Sequence, residues 1–191
     1  MAYLIPAEFV FFFVDAAATE IYTSTRDTLI RAYMAGAILS LAAVFAVTAT
    51  VMTGSALVGA ILFPVGFCML YLLGFDLLTG VFVLTPLAWL DRRPGVTVQG
   101  ILRNWGLVFL GNFLGALTVA FMMAFIFTYG FSVPPNEIGQ KIGHIGEART
   151  LGYAQYGLMG WLTIFIRGML CNWMVSTGVV GAMISTTVSG K

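Results

Sequence analysis

Charge is what this sequence has least of. Only 9% of its 191 residues are Asp, Glu, Lys or Arg, against about a quarter in ordinary soluble domains. That deficit excludes a freely soluble globule. Nine Lys and Arg residues are also too few for the basic face of a nucleic-acid binder. Cysteine is nearly missing: Cys68 and Cys171 both fall in apolar stretches, which points to free buried thiols and not to a disulfide framework. The chain has a single histidine, His144. No metal-ligand spacing and no nucleophile–base pair is visible, so no metal or cofactor is expected and an enzyme is the least expected class. No basic residue precedes the first apolar run, so the N-terminus does not read as a cleaved signal peptide.

Apolar residues are what the chain does have, at 60% of the total, and they make it an all-α integral membrane protein. The informative stretch is Ala56 to Leu90, thirty-five residues carrying one charge, Asp76. A continuous helix of that length would run about 52 Å at about 1.5 Å per residue, far more than the hydrocarbon core of about 30 Å. The segment must therefore be interrupted, and the interruption is written at 74–80, where Gly74 and Gly80 bracket Asp76 and Thr79. Glycine permits unusual backbone angles, and Asp and Thr can bond the backbone groups freed where a helix stops. Irregular backbone at membrane depth persists only inside protein or along a cavity. The segment is accordingly a candidate permeation site.

In chain order, 1–27 reads as an N-terminal surface helix whose apolar run is too short to span, with Phe11, Phe12 and Phe13 partly in lipid. A first span covers 28–53, the broken second 56–90, a third 104–129 and a fourth 154–187, with a polar outer loop at 130–150. Gly111 and Gly115 give the third span a small-residue face for close helix approach. Arg26, Arg31, Arg92, Arg93, Arg103 and Lys191 fall on one side, which places the N-terminus in the cytoplasm. Leu29-Ile30-Arg31-Ala32 is echoed by Phe165-Ile166-Arg167-Gly168, a weak sign of the inverted repeat used by many transporters.

Four motifs add a resemblance. Gly168-Met169-Leu170-Cys171-Asn172-Trp173-Met174-Val175 resembles the G-I-L-C-N-W-L-V signature of the formate/nitrite transporter family. Pro6-Ala7-Glu8 resembles its N-terminal P-A-E, and Gly74 to Thr79 its G-x-[DE]-L-F-T interruption. Asn104-Trp105 with Gly111-Asn112 resembles its N-W…G-N. The resemblance implies an aquaporin-like bundle with an inverted repeat, assembled as a homo-pentamer in a bacterial inner membrane. It implies passage of a small monovalent anion such as formate or nitrite, crossing with a proton as the neutral acid. Thr79 and Asn172 then correspond to polar residues at the pore centre. Phe63, Phe67 and Leu77 fall at apolar constrictions, with Leu78 beside them on the pathway. Asp76, Arg149 and Arg167 are the electrostatic candidates, Arg149 for the cation of the vestibule. The family has six spans, the fifth broken and carrying a central histidine that His144 does not match, so the chain is expected to be truncated. If 191 residues were the true length, the rival reading would be a non-transporting scaffold or assembly subunit.

Blander readings stay open at several of these positions. Asp76 could cap the resumed helix by accepting backbone N–H bonds, Thr79 and Asn172 could join helices, and Phe63 and Phe67 could simply pack. Arg167 could pair with an acid or with helix carbonyls, and His144 reads as a solvated loop residue or a proton sensor.

Overall fold

The computed structural model describes residues 3–190, apart from the side chains of 6, 7 and 189. The side chains of Pro6 and Ala7, and Lys191, thus lie outside the described residues. The described secondary structure is almost entirely helical: α1 (Pro6–Tyr22), α2 (Thr25–Thr53), α3 (Ala56–Leu62), α4 (Pro64–Leu73), α5 (Leu78–Leu90), α6 (Val98–Phe127), α7 (Glu137–Arg149) and α8 (Gly157–Ile184). Among the described residues, four stretches are long and apolar enough to cross a membrane, namely α2, α3 with α4, α6, and the stretch that ends in α8.

Helix starts follow local chemistry. The Ser24 side chain accepts from the Asp27 N–H at the head of α2, Thr97 from the Gly100 N–H at α6, and Asn136 from the Gly139 N–H at α7. The Thr97 cap sets the third span going at Val98, so Arg103 lies inside the helix and not ahead of it. Likewise the polar stretch 130–150, expected as an outer loop, holds the thirteen-residue α7. Pro64 has no N–H to give, so one ladder bond is lost between α3 and α4, while Phe63 keeps helical angles of φ −55° and ψ −41°.

The core lies between α2 and α6, which run parallel and in close contact. A methyl group at Gly115 would collide with the Tyr33 carbonyl oxygen, and one at Gly111 with the Ala32 side chain. Only glycine lets the two backbones come this near. α1 packs its Phe13, Val14, Ala17, Ala18 and Ile21 inward and leaves Phe11 and Phe12 exposed. Phe13 is therefore not a lipid-facing residue; it stands one turn from Ala17 on the buried stripe. Arg93 in the α5–α6 loop ties α1 down through Asp15 at 2.9 Å, and the Tyr22 hydroxyl donates to the Pro94 carbonyl.

Most threonine hydroxyls in these spans obey one rule. Thr48, Thr50, Thr53, Thr85, Thr118 and Thr177 each donate to the carbonyl four residues earlier. A hydroxyl in hydrocarbon needs a partner, and its own helix supplies the nearest one.

Candidate functional site

The second span stops at Leu73 and resumes at Leu78. Gly74 turns the chain with φ +69°, a left-handed conformation that glycine adopts without strain. The gap of 74–77 is shorter than the sequence suggests, since Thr79 and Gly80 already sit in the first turn of α5. What shortens it is Asn112 on α6. Its side-chain oxygen accepts from the Leu78 N–H at 2.9 Å, while its amide donates to the carbonyls of Asp76 at 2.9 Å and Ala32 at 2.8 Å. Asn112 therefore caps α5 from another helix, a role the sequence assigned to Asp76 in its blander reading.

Asp76 instead turns to Arg31. Its Oδ1 lies 2.9 Å from Nη2 of Arg31, and only 3% of the residue is exposed. The same guanidinium donates from Nε to the Gly74 carbonyl at 2.9 Å and reaches Glu20 Oε1 at 3.4 Å. Arg31 thus covers the end of α4, where carbonyls lack partners and the helix dipole is negative. Glu20, on α1 outside the four spans, is held above the usual carboxylate range by burial, with the Arg31 charge and a hydrogen bond to Asp76 pulling the other way. Asn104 donates to the Glu20 carbonyl at 3.0 Å. Trp105 donates to Thr85 Oγ1 at 2.9 Å. The Asn-Trp pair of α6 therefore fixes α1 and α5 around the gap.

A cavity of about 630 Å³ opens beside the gap, walled by α1, α4, α5 and α8. Asp76, Leu77, Thr79 and Phe67 line it, together with Glu20 and Arg31. Thr79 breaks the hydroxyl rule: its Oγ1 is buried with no hydrogen-bond partner. The residue four places earlier, Phe75, lies in the gap and presents no helical carbonyl to it. An unpaired hydroxyl at the head of α5 faces a space where the helix dipole favours negative charge.

Other sequence candidates sit elsewhere. Phe63 meets Phe67 edge-on with ring centroids 5.6 Å apart, one turn outside the cavity wall. Leu78 packs against the buried cluster of Ala32, Val81 and Val108. Asn172 is exposed and donates to the Gly168 carbonyl of its own helix at 2.9 Å. It falls on the α8 stripe of Val175 and Val179, which do line the cavity, but about one turn away. Arg149 ends α7 at the surface. Among the described residues Arg167 pairs with neither an acid nor a carbonyl; it donates to the Tyr153 hydroxyl and lies 5.8 Å from that ring's centroid. His144 is exposed, 4.0 Å from Glu147. Sequence reasoning missed Asn112, Glu20 and Arg31 as parts of the site. An amide and a guanidinium inside apolar spans were the signal, because such groups need buried partners.

Comparison with known proteins identifies the family. The family model described as formate/nitrite transporter matches residues 7–191. A probable formate transporter of Methanothermobacter thermautotrophicus is 31% identical over 142 residues, which is 71% of this chain and 50% of that protein. The formate channel FocA of Haemophilus influenzae is 34% identical over 166 residues, covering 82% of this chain and 53% of its own length. An uncharacterized transporter of Bacillus subtilis, YrhG, is 31% identical over 138 residues, or 72% and 47%. The chain spans about half the length of the curated relatives it matches. The interrupted span, its motifs and the family match lead to one conclusion: this integral membrane chain belongs to the formate/nitrite transporter family, whose members are transporters and not enzymes.

Proposed function

We propose that the protein conducts a small monovalent anion of the formate or nitrite class, and that the gap at 74–77 is where the anion rests. The observation that carries this reading is the Thr79 hydroxyl, buried and unpartnered on the cavity wall at the head of α5. A hydroxyl can donate to an oxyanion, and the dipole at the head of α5 adds partial positive charge. Phe67 and Leu77 keep the path apolar on either side, so a bare anion meets a high desolvation cost and crosses most easily as the neutral acid. Asn172, Phe63 and Leu78 extend the pathway in this proposal, with Arg149 and Arg167 attracting anions from the outer side. The working unit is a homo-pentamer of the complete protein in a bacterial inner membrane. Its N-terminus is cytoplasmic, on the side of Arg26, Arg92, Arg93 and Arg103.

The test is formate uptake by proteoliposomes of the full gene product, read against protein-free vesicles. Thr79→Val keeps the volume and removes the donor, and is expected to lower uptake about tenfold, the loss of one hydrogen bond to a charged group at about 1.5 kcal/mol. Unchanged uptake would remove Thr79 from the pathway.

A further inference from the structure

Two buried carboxyl oxygens near the gap have no hydrogen-bond partner, Glu20 Oε2 and Asp76 Oδ2. Their companion oxygens share one donor, Nη2 of Arg31, at 3.4 and 2.9 Å. One guanidinium thus faces two acids from two different elements, α1 and the gap. The two carboxyl groups thus meet at a single guanidinium nitrogen. Ionised carboxylates only accept, so two of them cannot satisfy one another. A proton on either one converts a pair of orphan acceptors into a donor and an acceptor. Asp76 is 97% buried by the same 3% exposure, and it lines the cavity. Its free oxygen thus has no recourse to bulk water.

The other charged or titratable groups along the cavity are few. α2 brings Arg31 and α4 brings Cys68 and Tyr71, while α5 and α8 contribute none among the described lining residues. Arg31 is therefore the one cation there to offset two acids. With both ionised, the cluster carries a net charge of −1 on the wall of a space proposed to hold an anion; with one proton bound it is neutral.

We propose that Glu20 and Asp76 form a single-proton site on Arg31, and that filling it admits the anion to the cavity. The ligand is a proton, and no covalent step is involved: the proton arrives from water and is shared between two carboxyl oxygens. Acidification removes one negative charge and so favours anion uptake. Since Glu20 sits on α1 and Asp76 in the interruption, the shared proton also fastens the surface helix to the permeation segment. The effect on transport rests on the anion-channel reading, whereas the proton site itself stands on the geometry alone.

Two measurements on the full gene product separate these claims. The first is a pH-difference infrared spectrum in proteoliposomes, comparing wild type with Glu20→Gln and Asp76→Asn. Wild type is expected to show a protonated-carboxyl C=O band that titrates away as pH rises, and each variant should lose it. Absence of the band from wild type, or its survival in both variants, overturns the proton site and leaves the channel reading untouched. The second is formate uptake at neutral and acid pH, corrected for protein-free vesicles. Wild type should take up formate several-fold faster at acid pH, and Glu20→Gln should run at the fast rate at both. A lowered rate at both, with normal size-exclusion behaviour, would mean a structural role only and would overturn the coupling. A titrating band without formate uptake in any form would instead sink the channel reading and keep the site.

Discussion

Replacing Arg31 with methionine is expected to produce the largest loss of stability of any single change near the gap. Methionine keeps most of the side-chain length but removes the cation, stranding Asp76, which is 3% exposed, and freeing the Gly74 carbonyl. Breaking a buried ion pair by deleting one partner costs about 3–5 kcal/mol. Arg31 is itself 31% exposed, and Asp76 can take up a proton, so the lower end of that range is expected. The measurement is the midpoint of thermal unfolding in detergent. Adding Asp76→Asn should recover much of the loss, because a neutral amide no longer needs the guanidinium. A double variant as unstable as Arg31→Met alone would show that the ion pair is not the cause.

Asn112→Leu should rival it. Leucine has as many side-chain heavy atoms as asparagine but leaves two backbone groups without a partner, the Leu78 N–H and the Asp76 carbonyl, and the Ala32 carbonyl keeps only its helical bond. Each stranded buried group costs about 1–3 kcal/mol, and water cannot easily compensate at this depth. The damage should be local first, since α2 and α6 still meet through Gly111 and Gly115. Amide hydrogen exchange is the direct readout, with faster exchange at 75–81 than in wild type and little change in α2. Asn112→Asp is a useful companion. It keeps the acceptor for Leu78 but loses the two donated bonds, so its exchange should fall between the other two.

How much of this was legible beforehand differs by residue. The interruption is readable because a thirty-five-residue, mostly apolar stretch exceeds one crossing and because two glycines bracket its one acid, Asp76. Its length is not. The helix restarts at Leu78 because Asn112, thirty-four residues away, accepts that N–H, and no local pattern records a cap supplied from another helix. The same tertiary override diverts Asp76 from capping to Arg31. α6 starts before Arg103 because Thr97 caps it; the charge at 103 drew attention from a cap signal six residues earlier. Phe13 shows the limit of composition, since three adjacent phenylalanines look alike until the helical step separates them. Glu20 carries no local sign of a partner in the sequence, and only the fold brings it to Arg31, which also holds Asp76.

The account turns on whether the head of α5 meets a solute path or only other side chains and lipid. The direct measurement is thiol labelling of Thr79→Cys in proteoliposomes of the full gene product, with Cys68 and Cys171 replaced by alanine. A small, anionic, water-soluble thiol reagent should modify the new cysteine, and added formate should slow the reaction several-fold. Modification only by a lipid-soluble reagent, at a rate formate does not change, would contradict it.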